Sequence, residues 1–115
     1  MMERQVRVIA AYTSSNSDPI TFSTGEILSV EDRTTEWKGW TWCRDVSGRG
    51  GWVPDDYIIR LGDQAVGKQD YNAVELSIST GEILTAYKEE SGWLWCSNQA
   101  GIFGWVPCEN ITEFS

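Results

Sequence analysis

The sequence predicts an all-β protein made of two tandem, five-stranded small β-barrels. The first observation behind this is internal repetition. STGEIL at 23–28 returns at 79–84, GWTWC at 39–43 returns as GWLWC at 92–96, and GWVP at 51–54 returns at 104–107. Self-similarity at a fixed period marks a duplicated structural unit. The second is a succession of short alternating segments, separated by polar turns and lacking a helical period. The expected division is 1–61 and 66–115, with 62–65 as a short linker. Units this small bury only about 60% of their unfolded surface, so each is marginally stable.

In order along the first unit, QVRVIAAY (5–12) alternates and places Val6, Val8 and Ala10 on one face of a half-buried strand. A polar stretch at 13–18 ends in Pro19 and reads as a loop. ITFSTGEILSV resumes alternation, with Ile20, Phe22, Leu28 and Val30 inward and a turn at Gly25. Gly25 and its copy Gly81 are expected at positive φ, where only glycine escapes a steric cost. After a polar loop at 31–39, WTWCRDV, GGWVP and YIIRL supply three further strands, with a turn near Ser47-Gly48. The second unit follows the same plan with both of its first two loops shortened by three residues, and its opening strand, QAVGKQDY, is weakly patterned. The short connection predicts that the two barrels pack on each other.

Composition narrows the chemistry. Seven of the fourteen aromatic residues are Trp, and there is no His. The absence of His removes His-based acid–base catalysis and most zinc sites. There is no C-x-x-C spacing and no Gly-rich phosphate loop. A barrel of this size offers a groove rather than an enclosed pocket. No catalytic residue, cofactor or metal is therefore expected. Cys43 and Cys96 hold equivalent positions and are expected to be buried in separate cores. Cys108 replaces Asp55 of the first copy, so three reduced thiols are expected. No stretch is apolar enough for a membrane helix, and MMERQVRV lacks the run of a secretory signal, which points to the cytoplasm. The net charge of −8 disfavours nucleic acid and anionic membranes and favours a basic partner. Residues 1–61 carry seven basic and nine acidic side chains and residues 62–115 two and eight, so the second half is expected to attract such a partner more strongly.

With these segments in order, the sequence resembles tandem SH3 domains over nearly its whole length. VIAAY, DPITFSTGE, GWTWC and GWVPDDYI stand in the family's order, and GKQDY, VELSISTGE, GWLWC and GWVPCENI repeat it. The GW-x-W-C wording is closer to the variant SH3 domains of bacterial proteins. The resemblance implies a groove for proline-rich peptides, whose preformed polyproline helix docks at little entropic cost. It places Tyr12, Trp40, Trp52, Pro54 and Tyr57 in the first groove, with Asp18 and Glu36 to pair with a cation. It places Tyr71, Glu75, Trp93, Trp105 and Pro107 in a weaker second groove. Ala10 and Gln69 stand where the family has a first tyrosine, and Asn110 stands where it has a last one.

For Trp40 and Trp93 a ligand role stands beside interdomain packing. Trp42 and Trp95, two residues on, share their strand face and extend that platform. Trp37 is either a ligand contact or a loop anchor. The expected function is a non-enzymatic protein-interaction module that binds an extended proline-containing or basic segment of a partner protein. One alternative is a scaffold or homo-oligomer-forming subunit with mutually packed barrels. Another is Tudor-like capture of a methylated or quaternary amine in an aromatic cage.

Overall fold

In the computed structural model, residues 3–14, 18–33 and 38–113 are described. Their regular elements are strands and two 3-10 turns: β1 Arg4–Val8, β2 Thr21–Phe22, β3 Ile27–Glu31, β4 Trp40–Arg44, β5 Gly50–Pro54, β6 Ile58–Leu61, β7 Gln64–Gly67, β8 Tyr71–Asn72, β9 Ile83–Glu90, β10 Trp93–Ser97, β11 Phe103–Pro107 and β12 Ile111–Glu113. The fold is all-β, and the strands form two five-stranded antiparallel sheets, β11-β10-β9-β1-β12 and β5-β4-β3-β7-β6, with β2 paired to β8. These are SH3-like barrels, as expected.

The division of the chain differs from its order in sequence. One compact unit is Met1–Ser17 with Val74–Ser115, and the other is Asp18–Ala73. The boundaries 1–61 and 66–115 do not describe either unit. The reason lies at 62–65, expected as a linker. Gly62 has φ 70° and closes a two-residue hairpin, with Leu61 opposite Gln64. A glycine at positive φ in such a loop matches the twist of the flanking strands. β7 is thereby held beside β6 and pairs with β3 on its other edge. β1 fills the equivalent slot between β9 and β12. The two copies have exchanged their first strands.

This exchange also redistributes charge. The split unit holds three basic and seven acidic residues, and the continuous unit six and ten, so each carries −4. The expected excess of acidity in the second half is absent from the folded units.

The repeated hexamer is a structural device in both places. Gly25 and Gly81 have φ 88° and 94°. The carboxylates of Glu26 and Glu82 accept from the backbone N–H of Ser23 (3.1 Å) and Ser79 (2.6 Å), closing the same turn twice. Leu28 and Leu84 follow it into the two cores and are each 1% exposed. Full burial of such a side chain contributes about 1.5–3 kcal/mol. One core gathers Val6, Val8, Leu76, Ile78, Leu84, Leu94, Cys96 and Val106. In the other unit Ile20, Phe22, Leu28, Val30, Cys43, Val53 and Tyr57 are buried. Ala10, expected inward, is exposed because β1 ends at Val8.

Cys43 and Cys96 are buried as expected, in separate units, and Cys108 is half-buried. Burial pushes the Cys43 thiol up to about 11 and the Cys96 thiol up to about 12. Desolvation, with Glu89 nearby, raises Cys108 to about 11. All three should resist iodoacetamide in the native protein at neutral pH and react together after unfolding, which mass spectrometry of the alkylated chain checks. A thiol held neutral only in the folded state adds stability that is complete below its ordinary value of 9.0. That stability is lost as pH rises from there towards about 12. Cys96→Ala should flatten this alkaline decline in urea midpoints.

Candidate functional grooves

In each unit the W-x-W strand and the GWVP strand lie side by side. Trp40 pairs with Pro54 and Trp42 with Trp52, while Thr41 and Cys43 take the opposite face. Trp93 pairs with Pro107 and Trp95 with Trp105 in the same way. Strand alternation therefore puts both Trp residues of each strand on one face, as the sequence indicated.

The first-strand exchange decides which tyrosine joins which tryptophan. Tyr12, expected beside Trp40, lies instead in the split unit. Its ring meets Trp93 edge-on, with centroids 5.8 Å apart and planes at 80°. Its hydroxyl donates to Glu75 Oε1 at 2.7 Å. Tyr12, Glu75 and Trp93 are all half-buried, so aromatic surface and a carboxylate reach solvent together. Asn110, which stands where the family has its last tyrosine, donates from Nδ2 to the carbonyls of Ala10 (3.0 Å) and Ala11 (3.2 Å). It thereby fixes the backbone that carries Tyr12. Sequence reasoning counted Asn110 as an erosion of the groove, and only its disagreement with Tyr57 hinted at a role.

Tyr71 lies in the continuous unit, where it was not expected. It is 6% exposed, meets Tyr57 at 5.1 Å and Phe22 at 5.6 Å, and donates to the carbonyl of Trp52 at 2.9 Å. Tyr57 is 2% exposed and Pro54 is fully buried. Both tyrosines here are packing residues with little face to offer a ligand, and Trp40 is the half-buried ring left on that surface. Asp18 is exposed at the start of this unit, and Glu36 and Trp37 lie outside the described residues.

Trp105, expected to stack on a ligand, is 3% exposed. The segment Val74–Leu76 runs along β11 and covers it: Trp105 N–H donates to the Val74 carbonyl (2.9 Å) and its own carbonyl accepts from Leu76 N–H (3.0 Å). Pro107 is buried as well. Trp52 is half-buried and meets Trp42 at 5.2 Å and 84°. The Arg33 guanidinium covers the Trp42 ring at 4.1 Å. Arg33 and Arg44 both bond Glu31, which holds that carboxyl below its ordinary value, Arg44 contributing most. Trp42 is thus roofed by a cation and a neighbouring ring instead of extending an open platform. Trp95 packs on Trp105 (5.3 Å) and stacks near-parallel on Phe103 (6.1 Å, 24°), and Phe103 is 45% exposed. Among the described residues, no group of three Cys, Asp or Glu could hold a metal ion, and no helix is long and apolar enough to cross a membrane.

In each of the two five-stranded sheets a W-x-W strand lies beside a GWVP strand, with a 3-10 turn after the proline. Residues 6–60 match the variant SH3 domain. Over 57 residues the chain is 32% identical to the CD2-associated protein of Mus musculus and of Homo sapiens. That alignment covers 50% of this chain and 9% of each relative, so the chain spans a small part of the length of the curated proteins it matches. The SH3 match begins at Val6, in the strand that completes the split unit, and continues through β2 to β6 of the continuous one. A contiguous SH3 sequence is thus shared between two folded units. SH3 domains are protein-interaction modules, and an interaction role follows for this stretch.

Proposed function

We propose that the chain is a non-enzymatic interaction module whose two SH3-like barrels, arranged in tandem, engage extended proline-containing or basic segments of a partner protein. One observation carries this reading: Tyr12, Trp93 and Glu75 form a solvent-reaching group in which two rings stand at 80° beside a carboxylate. Perpendicular rings leave a slot for a proline or an aliphatic stem, and Glu75 supplies the charge for an adjacent Arg or Lys. The split unit leads, because the matching tyrosines of the continuous unit are consumed by its own packing. Trp93→Ala should weaken binding of an Arg-flanked proline-rich peptide at least tenfold by fluorescence anisotropy. Trp40→Ala should have a smaller effect. Undiminished affinity in Trp93→Ala would remove the groove assignment.

The same perpendicular pair and carboxylate also suit a methylated ammonium group, whose attraction to ring faces is worth about 0.5–2 kcal/mol. Titration with trimethyl-lysine separates the two readings. Indole shifts confined to Trp93 that saturate with the amine, and an indifferent proline-rich peptide, would favour the cage.

A further inference from the structure

We infer that the sequence itself selects the exchanged pairing, through residues that make β1 fit only the β9–β12 slot and β7 only the β3–β6 slot. The two slots share one hydrogen-bond frame. Val8 N–H donates to the Glu82 carbonyl (2.9 Å) and its carbonyl accepts from Gly81 N–H (2.8 Å). Gly67 does the same with Glu26 (2.9 Å) and Gly25 (2.7 Å). Val8 and Gly67 are therefore equivalent positions, and the backbone frame alone does not distinguish the strands.

Side-chain volume does. At Gly67 a Cβ would lie 2.8 Å from Phe22 Cδ1 and 2.8 Å from the backbone oxygen of Ser23. The Phe22 ring, 3% exposed and packed on Tyr71, has nowhere to go. In the other slot Ile78 takes the place of Phe22, and Val8 fits there with no exposed surface. A β1 placed beside Phe22 would drive valine into the space only glycine leaves. A β7 placed beside Ile78 would put Ala65 and Gly67 where Val6 and Val8 now fill the core, leaving a cavity.

Two further matches point the same way. Asn110 bonds the carbonyls of Ala10 and Ala11, and its counterpart Tyr57 has no amide to offer them. Arg4 pairs with Glu113 at 3.0 Å. The residue equivalent to Glu113 in the continuous unit is Arg60, so the unexchanged pairing would set two arginines together. Exposed charges add little individually, but a like-charge pair removes even that.

Disulfide trapping in the full chain tests this. Arg7 faces Ile83 across β1 and β9, and Ile27 is the position equivalent to Ile83 in the other slot. In a Cys108→Ser background, Arg7→Cys with Ile83→Cys should close an intrachain disulfide, read by mass spectrometry of the linked peptides. Arg7→Cys with Ile27→Cys should give at least tenfold less. A dominant 7–27 bond, or a 7–83 bond joining two chains, would overturn the assignment. Adding Val8→Gly and Gly67→Val should raise the 7–27 yield at least tenfold. Tryptophan emission and a cooperative urea transition report whether that variant still folds. If the volume-reversed chain still forms only the 7–83 bond, side-chain size is not what selects the strand.

Discussion

Val6→Asp is expected to unfold the split unit and leave the continuous one folded. Val6 has no exposed surface and sits mid-strand in β1, paired with Leu84 on one side and Glu113 on the other. A carboxylate there joins a cluster that includes Leu84, Leu94 and Val106, with no buried cation among the described residues to meet it. An uncompensated buried charge costs about 3–5 kcal/mol. A unit of this size has only about 3–9 kcal/mol of stability in total. Ala65→Asp should do the reverse, because Ala65, equally buried, lies between Leu28 and Arg60. Indole N–H resonances provide the readout. In Val6→Asp the signals of Trp93, Trp95 and Trp105 should collapse to unfolded positions, while those of Trp40, Trp42 and Trp52 persist. In Ala65→Asp the two groups change places. Loss of the Trp40 group in Val6→Asp would restore the sequential division of the chain.

That experiment turns on the feature least legible in the sequence. Gly25, Leu28, Cys43 and their copies were legible because they depend on a local turn or on strand alternation, and both are written in a few adjacent residues. The shared face of Trp40 and Trp42, and of Trp93 and Trp95, was legible for the same reason, since side chains two apart on a strand point the same way. The partner of β1 was not. Alternation says which face of a strand is buried, and it is silent about which sheet buries it. Two copies of one motif make the ambiguity as sharp as it can be. What resolves it is non-local: Gly67 against Phe22, Val8 against Ile78, Asn110 against the backbone before Tyr12. The candidate groove inherits the same limit. Tyr12, Glu75 and Trp93 were each singled out, but their assembly depends on a strand pairing that no short window contains.

Gly104→Ala is expected to be the most damaging methyl group that can be added to β11. Its backbone is not in the left-handed region, so alanine meets no conformational penalty and the whole cost is steric. A Cβ there would lie 2.7 Å from the Leu76 nitrogen, 2.8 Å from Leu76 Cβ and 2.9 Å from the Glu75 carbonyl carbon. These are mostly backbone atoms, and they cannot rotate away. The Glu75–Leu76 segment must lift off β11, stretching the 3.0 Å bond from Leu76 N–H to the Trp105 carbonyl and withdrawing Leu76 from the core. Overpacking of this kind costs about 1–3 kcal/mol. At about 4–8 °C per kcal/mol, the thermal midpoint of the split unit should fall by roughly 5–20 °C. Gly51, at the same repeat position, makes the control. Its added Cβ would meet one side-chain methyl, Ile20 Cγ2, at 2.8 Å, with nothing else nearer than 3.5 Å and no backbone atom among its nearest contacts. Gly51→Ala should therefore cost its unit visibly less than Gly104→Ala costs the other. The two effects differ in kind as well. Moving Glu75 breaks its bond from Tyr12, so Gly104→Ala should weaken peptide binding more than its unfolded fraction explains, whereas Gly51→Ala should not. Leu76→Ala added to Gly104→Ala leaves the Leu76 nitrogen, the Leu76 Cβ and the Glu75 carbonyl carbon all in place and should not restore the midpoint. Recovery in that double variant would show that the backbone of Glu75–Leu76 is free to yield.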